Sequence, residues 1–236
     1  MRSPVSVDQV LRIPLLPVLA AQAVAVRRKA TLLPEPDGPR TGCVGRGPRV
    51  RLLIAGDSSA AGVGASTQEQ ALSGQLVACL ARHFTVEWRL EATTGHTTRD
   101  TLDRLADLDG PYDAAVTALG VNDVTRGVTQ RQFQSRQSRL FDLLSNKLGV
   151  RCIVATGVPQ MDRFPALPHP LAWVLGQQAA RLDRGLRQAA DAFPAVRHLA
   201  LDFPDDPALA AADGYHPSPK AYQLWAAAAA DLLRQA

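Results

Sequence analysis

From residue 50 onward the chain alternates five times between a short apolar run and a stretch with helical spacing, and few folds accept such a pattern. The runs cover 50–55, the alternating Val86, Trp88, Leu90 and Ala92, then 114–119, 152–157 and 196–201. Strands separated by helices cannot pair as tight hairpins. Each connection is a crossover, so the strands lie parallel with helices on both faces. The expectation is a three-layer α/β/α domain over 50–236 with a five-stranded parallel sheet. Helix starts are marked by Ser66 with Glu69 before 70–84, by Thr97, by Thr129 heading a long segment to Leu148, and by Ser218-Pro219. A further helix is expected over 171–193.

Composition agrees with one sizeable core: 236 residues, 46% hydrophobic and 20% charged. The net charge of +4 does not describe a nucleic-acid binder. Residues 1–51 carry nine Lys or Arg against three acids, whereas the rest carries 17 against 19. The basic excess therefore belongs to the N-terminal segment, and the domain has no broad phosphate-binding face. Three cysteines (Cys43, Cys79 and Cys152) make an odd count without metal-ligand spacing, which points to a reducing, cytoplasmic compartment.

Residues 1–49 read as a separate segment. An apolar stretch over 13–26 is closed by Arg27-Arg28-Lys29, and a Pro- and Gly-rich linker follows. The stretch is shorter than the roughly 20 residues of a spanning helix and contains Pro14 and Pro17. Two readings stand side by side: peripheral membrane contact through 13–29, or a helix packed on the domain.

In open parallel sheets, function gathers beyond the carboxyl ends of the strands. There the first run stops at "GDSSAAGVGA". A Walker loop is excluded because no lysine occurs between Arg51 and Lys147, and a dinucleotide fingerprint lacks its third glycine. Ala60 replaces the last glycine of a nucleophile elbow. What is left is a serine in need of a base. "ADGYHPSP" offers His216, with Asp213 three residues earlier, a spacing at which a carboxylate on a turn reaches the same imidazole. Gly95 in "TTGHTT" and Asn122 in "LGVND" lie past the second and third runs. By themselves they read equally as a turn glycine and an Asx-turn residue; as donors they would serve a developing oxyanion.

These four blocks, in this order, resemble the SGNH hydrolases, also called GDSL-type esterases and lipases. The resemblance implies strand order 2-1-3-4-5 and a catalytic triad of Ser58, Asp213 and His216. It also implies an oxyanion hole from the Ser58 and Gly95 N–H groups and the Asn122 amide. No metal or cofactor is implied. One departure is Ser59, where many members carry leucine. The implied reaction is hydrolysis of a small-molecule acyl ester, with lysophospholipids and thioesters among the substrates; the alternative is deacetylation of carbohydrates. A non-catalytic, membrane-tethered module of the same fold would be expected to lack a triad residue, and none is missing. After the fourth run, Met161, Phe164, Leu167 and Trp173 form either an acyl-binding wall or ordinary loop packing.

Overall fold

A computed structural model describes residues 7–235. In chain order the elements are α1 (Val7–Lys29), β1 (Thr41–Val44), β2 (Arg49–Gly56), α2 (Ser58–Ala61), α3 (Leu72–Leu80), β3 (Thr85–Ala92) and α4 (Thr98–Leu105). Then follow β4 (Ala114–Ala118), α5 (Val121–Thr125), α6 (Gln130–Asp142), β5 (Cys152–Thr156), α7 (Leu171–Ala190), β6 (Val196–Leu199) and α8 (Pro219–Arg234). The sheet order is β1-β3-β2-β4-β5-β6. All neighbours are parallel except β1, which runs antiparallel to β3 with Thr41 opposite Arg89 and Val44 opposite Val86.

The five parallel strands thus take the expected order, but the sheet is mixed and six-stranded, which corrects the expected strand count. The extra strand comes from the stretch read as linker. It covers the backbone edge that β3 would otherwise present to water.

Alternation along β2 divides the core. Leu53 and Ala55 join Leu105, Phe133, Phe141 and Leu182 on one face, while Leu52 and Ile54 join Leu72, Leu76, Tyr222 and Trp225 on the other. Helices α4, α6 and α7 cover the first face, and α3 and α8 the second.

Capping chemistry explains most helix starts. Thr97 and Thr129 each form a reciprocal capping box, with Asp100 and Gln132, and Ser218 accepts the Ala221 N–H with Pro219 in the first turn. Ser66 does not start a helix: α3 begins at Leu72. In between, Gln68 is buried, accepts the Ser73 hydroxyl at 2.6 Å and donates to the Ala61 carbonyl at 2.9 Å. These bonds hold the segment in turns instead of a helical ladder.

Helix α1 continues past Pro14 and Pro17 and extends the apolar stretch at both ends. Val10–Lys29, with mean hydropathy 1.6, is long and apolar enough to cross a membrane, which corrects the impression of a short run. It also packs on α7. Asp8 is buried against Arg181 with two contacts of 2.8 Å, and Leu19 enters the core. Gln22 accepts the Leu171 N–H at 3.1 Å and donates to the His169 carbonyl at 2.6 Å. The opposite face of α1, with Val10, Ile13 and Val24, is exposed.

Candidate active site

Ser58 is the first residue of α2, immediately beyond the carboxyl end of β2. Asp57 caps this one-turn helix by accepting the Ser59 N–H at 2.9 Å. The sharp turn from strand to helix needs Gly56: a Cβ there would lie 2.1 Å from the Ala118 carbonyl oxygen. Two adjacent strands can therefore close up directly beneath the serine.

His216 arrives from far along the chain, in the loop before α8, a helix that packs on the same face of the sheet as Ala60 and Ala61 of α2. That loop is tied down by the Ala211 N–H donating to the His216 carbonyl at 2.8 Å and the Ser218 N–H donating to Leu209 at 2.9 Å. The Tyr222 hydroxyl, on α8, donates to the Val63 carbonyl at 2.7 Å and locks the loop's helix to the serine segment. The result is a continuous chain of hydrogen bonds. His216 Nε2 lies 2.9 Å from Ser58 Oγ, and His216 Nδ1 lies 2.6 Å from Asp213 Oδ2. Asp213 Oδ1 also accepts the N–H groups of Tyr215 at 3.0 Å and His216 at 3.1 Å. Burial pushes the Asp213 carboxyl upward, but the His216 ring and these two amides outweigh it and hold the group below its ordinary value. An ionised carboxylate fixes the proton on Nδ1 and leaves Nε2 free to accept one from the serine hydroxyl.

Gly95 and Asn122 line the same cavity as Ser58 and His216. Gly95 has φ +85°, a left-handed conformation that suits glycine, whereas a Cβ there would meet nothing within 4 Å. Backbone conformation, not a close approach within the protein, selects the residue. The Asn122 amide donates to the His96 carbonyl at 3.0 Å. An amide carries two N–H donors, so one is held by the protein and the second remains for a ligand. Asp123, fully buried, accepts both the Thr98 N–H and hydroxyl at 2.9 Å and braces α5 against the start of α4.

The cavity measures about 980 Å3, within the range of small-molecule sites. Met161, Phe164 and Leu167 line it. Trp173 does not: it lies in the first turn of α7, half-buried against the core. Leu171 and Leu175 face the cavity, and Trp173 lies about 200° around the helix from Leu171. Sequence reasoning missed Tyr215, Trp225 and one face of α1, all of which line the cavity. The tyrosine and tryptophan sit in or after the "DGYHP" block, but nothing local marks α1.

Asp57 gives a stability prediction. It is buried, and burial pushes its carboxyl up to about 7; the Ser59 N–H opposes this, and the Asp123 charge adds to it. Between an ordinary carboxyl value of about 4 and about 7, the folded state keeps a proton that the unfolded state has released. This contribution is present at low pH and lost as pH rises through that window. Asp57→Asn, which can still accept the Ser59 N–H, should remove the slope. Relative to the parent, the variant should gain up to about 4 kcal/mol between pH 4 and pH 8. Parallel urea-denaturation profiles for the two proteins across that range would refute the assignment.

Comparison with known proteins places the chain in a family. A profile of the GDSL-like lipase/acylhydrolase family matches residues 54–224. A GDSL-like esterase of Mycobacterium tuberculosis is 32% identical over 196 residues, which is 78% of this chain; the chain spans 60% of that relative's length. Among solved structures, a lipolytic G-D-S-L family protein from Veillonella parvula superposes with a TM-score of 0.62 at 15% identity, over 79% of this chain and 99% of the other. An acetylxylan esterase from Geobacillus stearothermophilus gives 0.57 at 19% identity, over 79% and 95%. At such identities the two structures establish a common fold. With the family profile covering most of the chain, this protein belongs to the GDSL-like lipase/acylhydrolase family.

Proposed function

We propose that the protein is a serine esterase that hydrolyses carboxylic esters of apolar acyl groups through an acyl-serine intermediate. The observation that carries this reading is the Ser58–His216–Asp213 hydrogen-bond chain opening into an apolar cavity. In the first half-reaction His216 takes the Ser58 proton as Oγ attacks the ester carbonyl. The N–H groups of Ser58 and Gly95 and the Asn122 amide receive the oxyanion. His216 then protonates the leaving alcohol, and water, activated by the same imidazole, releases the acid.

Apolar walls from Met161, Phe164, Leu171 and Leu175 favour an acyl chain over an acetylated sugar, whose hydroxyls need polar partners. Lysophospholipids and acyl thioesters share that apolar acyl group. A panel of acyl esters, thioesters and acetylated carbohydrates, assayed with the parent and Ser58→Ala, tests the reading. Serine-dependent turnover confined to the acetylated carbohydrates would overturn it.

Asn122→Ala should lower kcat by roughly 10²–10³-fold with little change in KM, because the donated hydrogen bond strengthens only as charge develops on the carbonyl oxygen. A large rise in KM at unchanged kcat would make Asn122 a ground-state binding residue instead.

The exposed apolar face of α1, ending in Arg27-Arg28-Lys29, supports contact with an anionic membrane. The protein should co-sediment with vesicles containing anionic lipid, and salt should weaken that binding. Equal binding to neutral vesicles would remove the electrostatic part of this reading.

A further inference from the structure

The cavity beside Ser58 has one wall that lies outside the stretch matched by the family. Leu16, Leu19, Ala20, Ala23, Val26 and Arg27 of α1 line it, a spacing that marks a single stripe along a helix. The stripe is aimed by two polar anchors, one in the first turn of the helix and one about two-thirds of the way along it. Asp8 pairs with Arg181, and Gln22 bonds to both Leu171 and His169, so α1 cannot turn about its axis without breaking these bonds. Met161, Phe164, Leu171 and Leu175 line the same cavity. In the middle of the stripe, where bulk would narrow the space, the residues are Ala20 and Ala23; Leu16, Leu19 and Val26 flank them.

We propose that α1 is the outer wall of the acyl-binding channel and that Ala20 and Ala23 set its bore, admitting long acyl chains. The inference rests on the serine-esterase reading above. It assigns to the N-terminal segment a part in substrate selection, although every proposed reacting group comes from the domain that follows.

The test uses the full chain. Ala20→Trp and Ala23→Trp add bulk to the stripe, and kcat/KM is measured for p-nitrophenyl butyrate and p-nitrophenyl laurate, with a thermal melt for each variant. The laurate-to-butyrate ratio should fall at least tenfold in both folded variants. A ratio within twofold of the parent's would overturn the wall. Should the tryptophans prevent folding, Ala23→Cys, a small change, replaces them. Its labelling by a maleimide, followed by mass spectrometry, should slow at least fivefold when Ser58 carries a dodecyl phosphonate rather than an ethyl phosphonate. Equal labelling in the two adducts would overturn the proposal. A parent protein that hydrolyses neither ester and forms no Ser58 adduct would instead sink the esterase reading, and the wall with it.

Discussion

Ser58→Ala should lower ester turnover by about 10⁴–10⁶-fold, while Ser59→Ala retains most of it. The two serines are neighbours on one helical turn, and only one is placed to react. Ser58 Oγ lies 2.9 Å from His216 Nε2, within reach for proton transfer. Consecutive residues on a helix point about 100° apart, so the Ser59 side chain departs from the imidazole. Its backbone N–H is committed to Asp57. Removing the Ser58 hydroxyl leaves the fold's packing nearly untouched, so the melting temperature should change little. A fluorophosphonate, which reacts with an activated serine, should leave its adduct on Ser58 when mapped by mass spectrometry. An adduct on Ser59, or Ser58→Ala retaining more than a tenth of the parent's rate, would overturn the assignment.

The parts of this molecule that were legible in its sequence are those governed by local rules. Parallel strands buried on both faces read as continuous apolar runs, and β2, β4 and β5 do so plainly. Thr97, Thr129 and Ser218 announce their helices because capping is a contact within three residues. Asp213 and His216 are likewise close in sequence. Ser58, Gly95 and Asn122 are distant from one another, yet each follows a strand, so the parallel topology gathers them without any knowledge of contacts. What escaped depends on long-range partners. β1 is four residues long and mostly exposed, and it is a strand only because β3 offers it an edge. Trp173 has apolar neighbours in sequence, as a wall residue and a packed one both do, and the face it shows is fixed by where α7 begins. Helix α1 is apolar around most of its circumference, so its pattern names no docking face. That face is chosen by Asp8 and Arg181, which are separated by 173 positions.

Asp213→Asn should lower kcat by about 10⁴-fold with KM nearly unchanged, a loss far greater than the small change in shape suggests. The carboxylate is almost fully enclosed, with 2% of its side chain exposed, and among the described residues it receives hydrogen bonds from the His216 ring and from two backbone amides. An amide at this position can keep its oxygen toward the N–H groups of Tyr215 and His216. Its NH2 group then faces His216 Nδ1 and donates where the carboxylate accepted. The imidazole proton is driven to Nε2, which can no longer take the proton of Ser58. Stability should respond with a definite sign. A carboxyl held below its ordinary value stabilises the fold above about pH 4, and that contribution is lost as pH falls further. The parent and the variant should therefore differ most in melting temperature near neutrality and converge toward pH 3. The kinetic loss should persist at temperatures where the variant is fully folded, which separates tautomer control from unfolding. A loss of less than tenfold in the folded variant would mean that His216 is oriented without Asp213, and the proposed triad would reduce to a dyad.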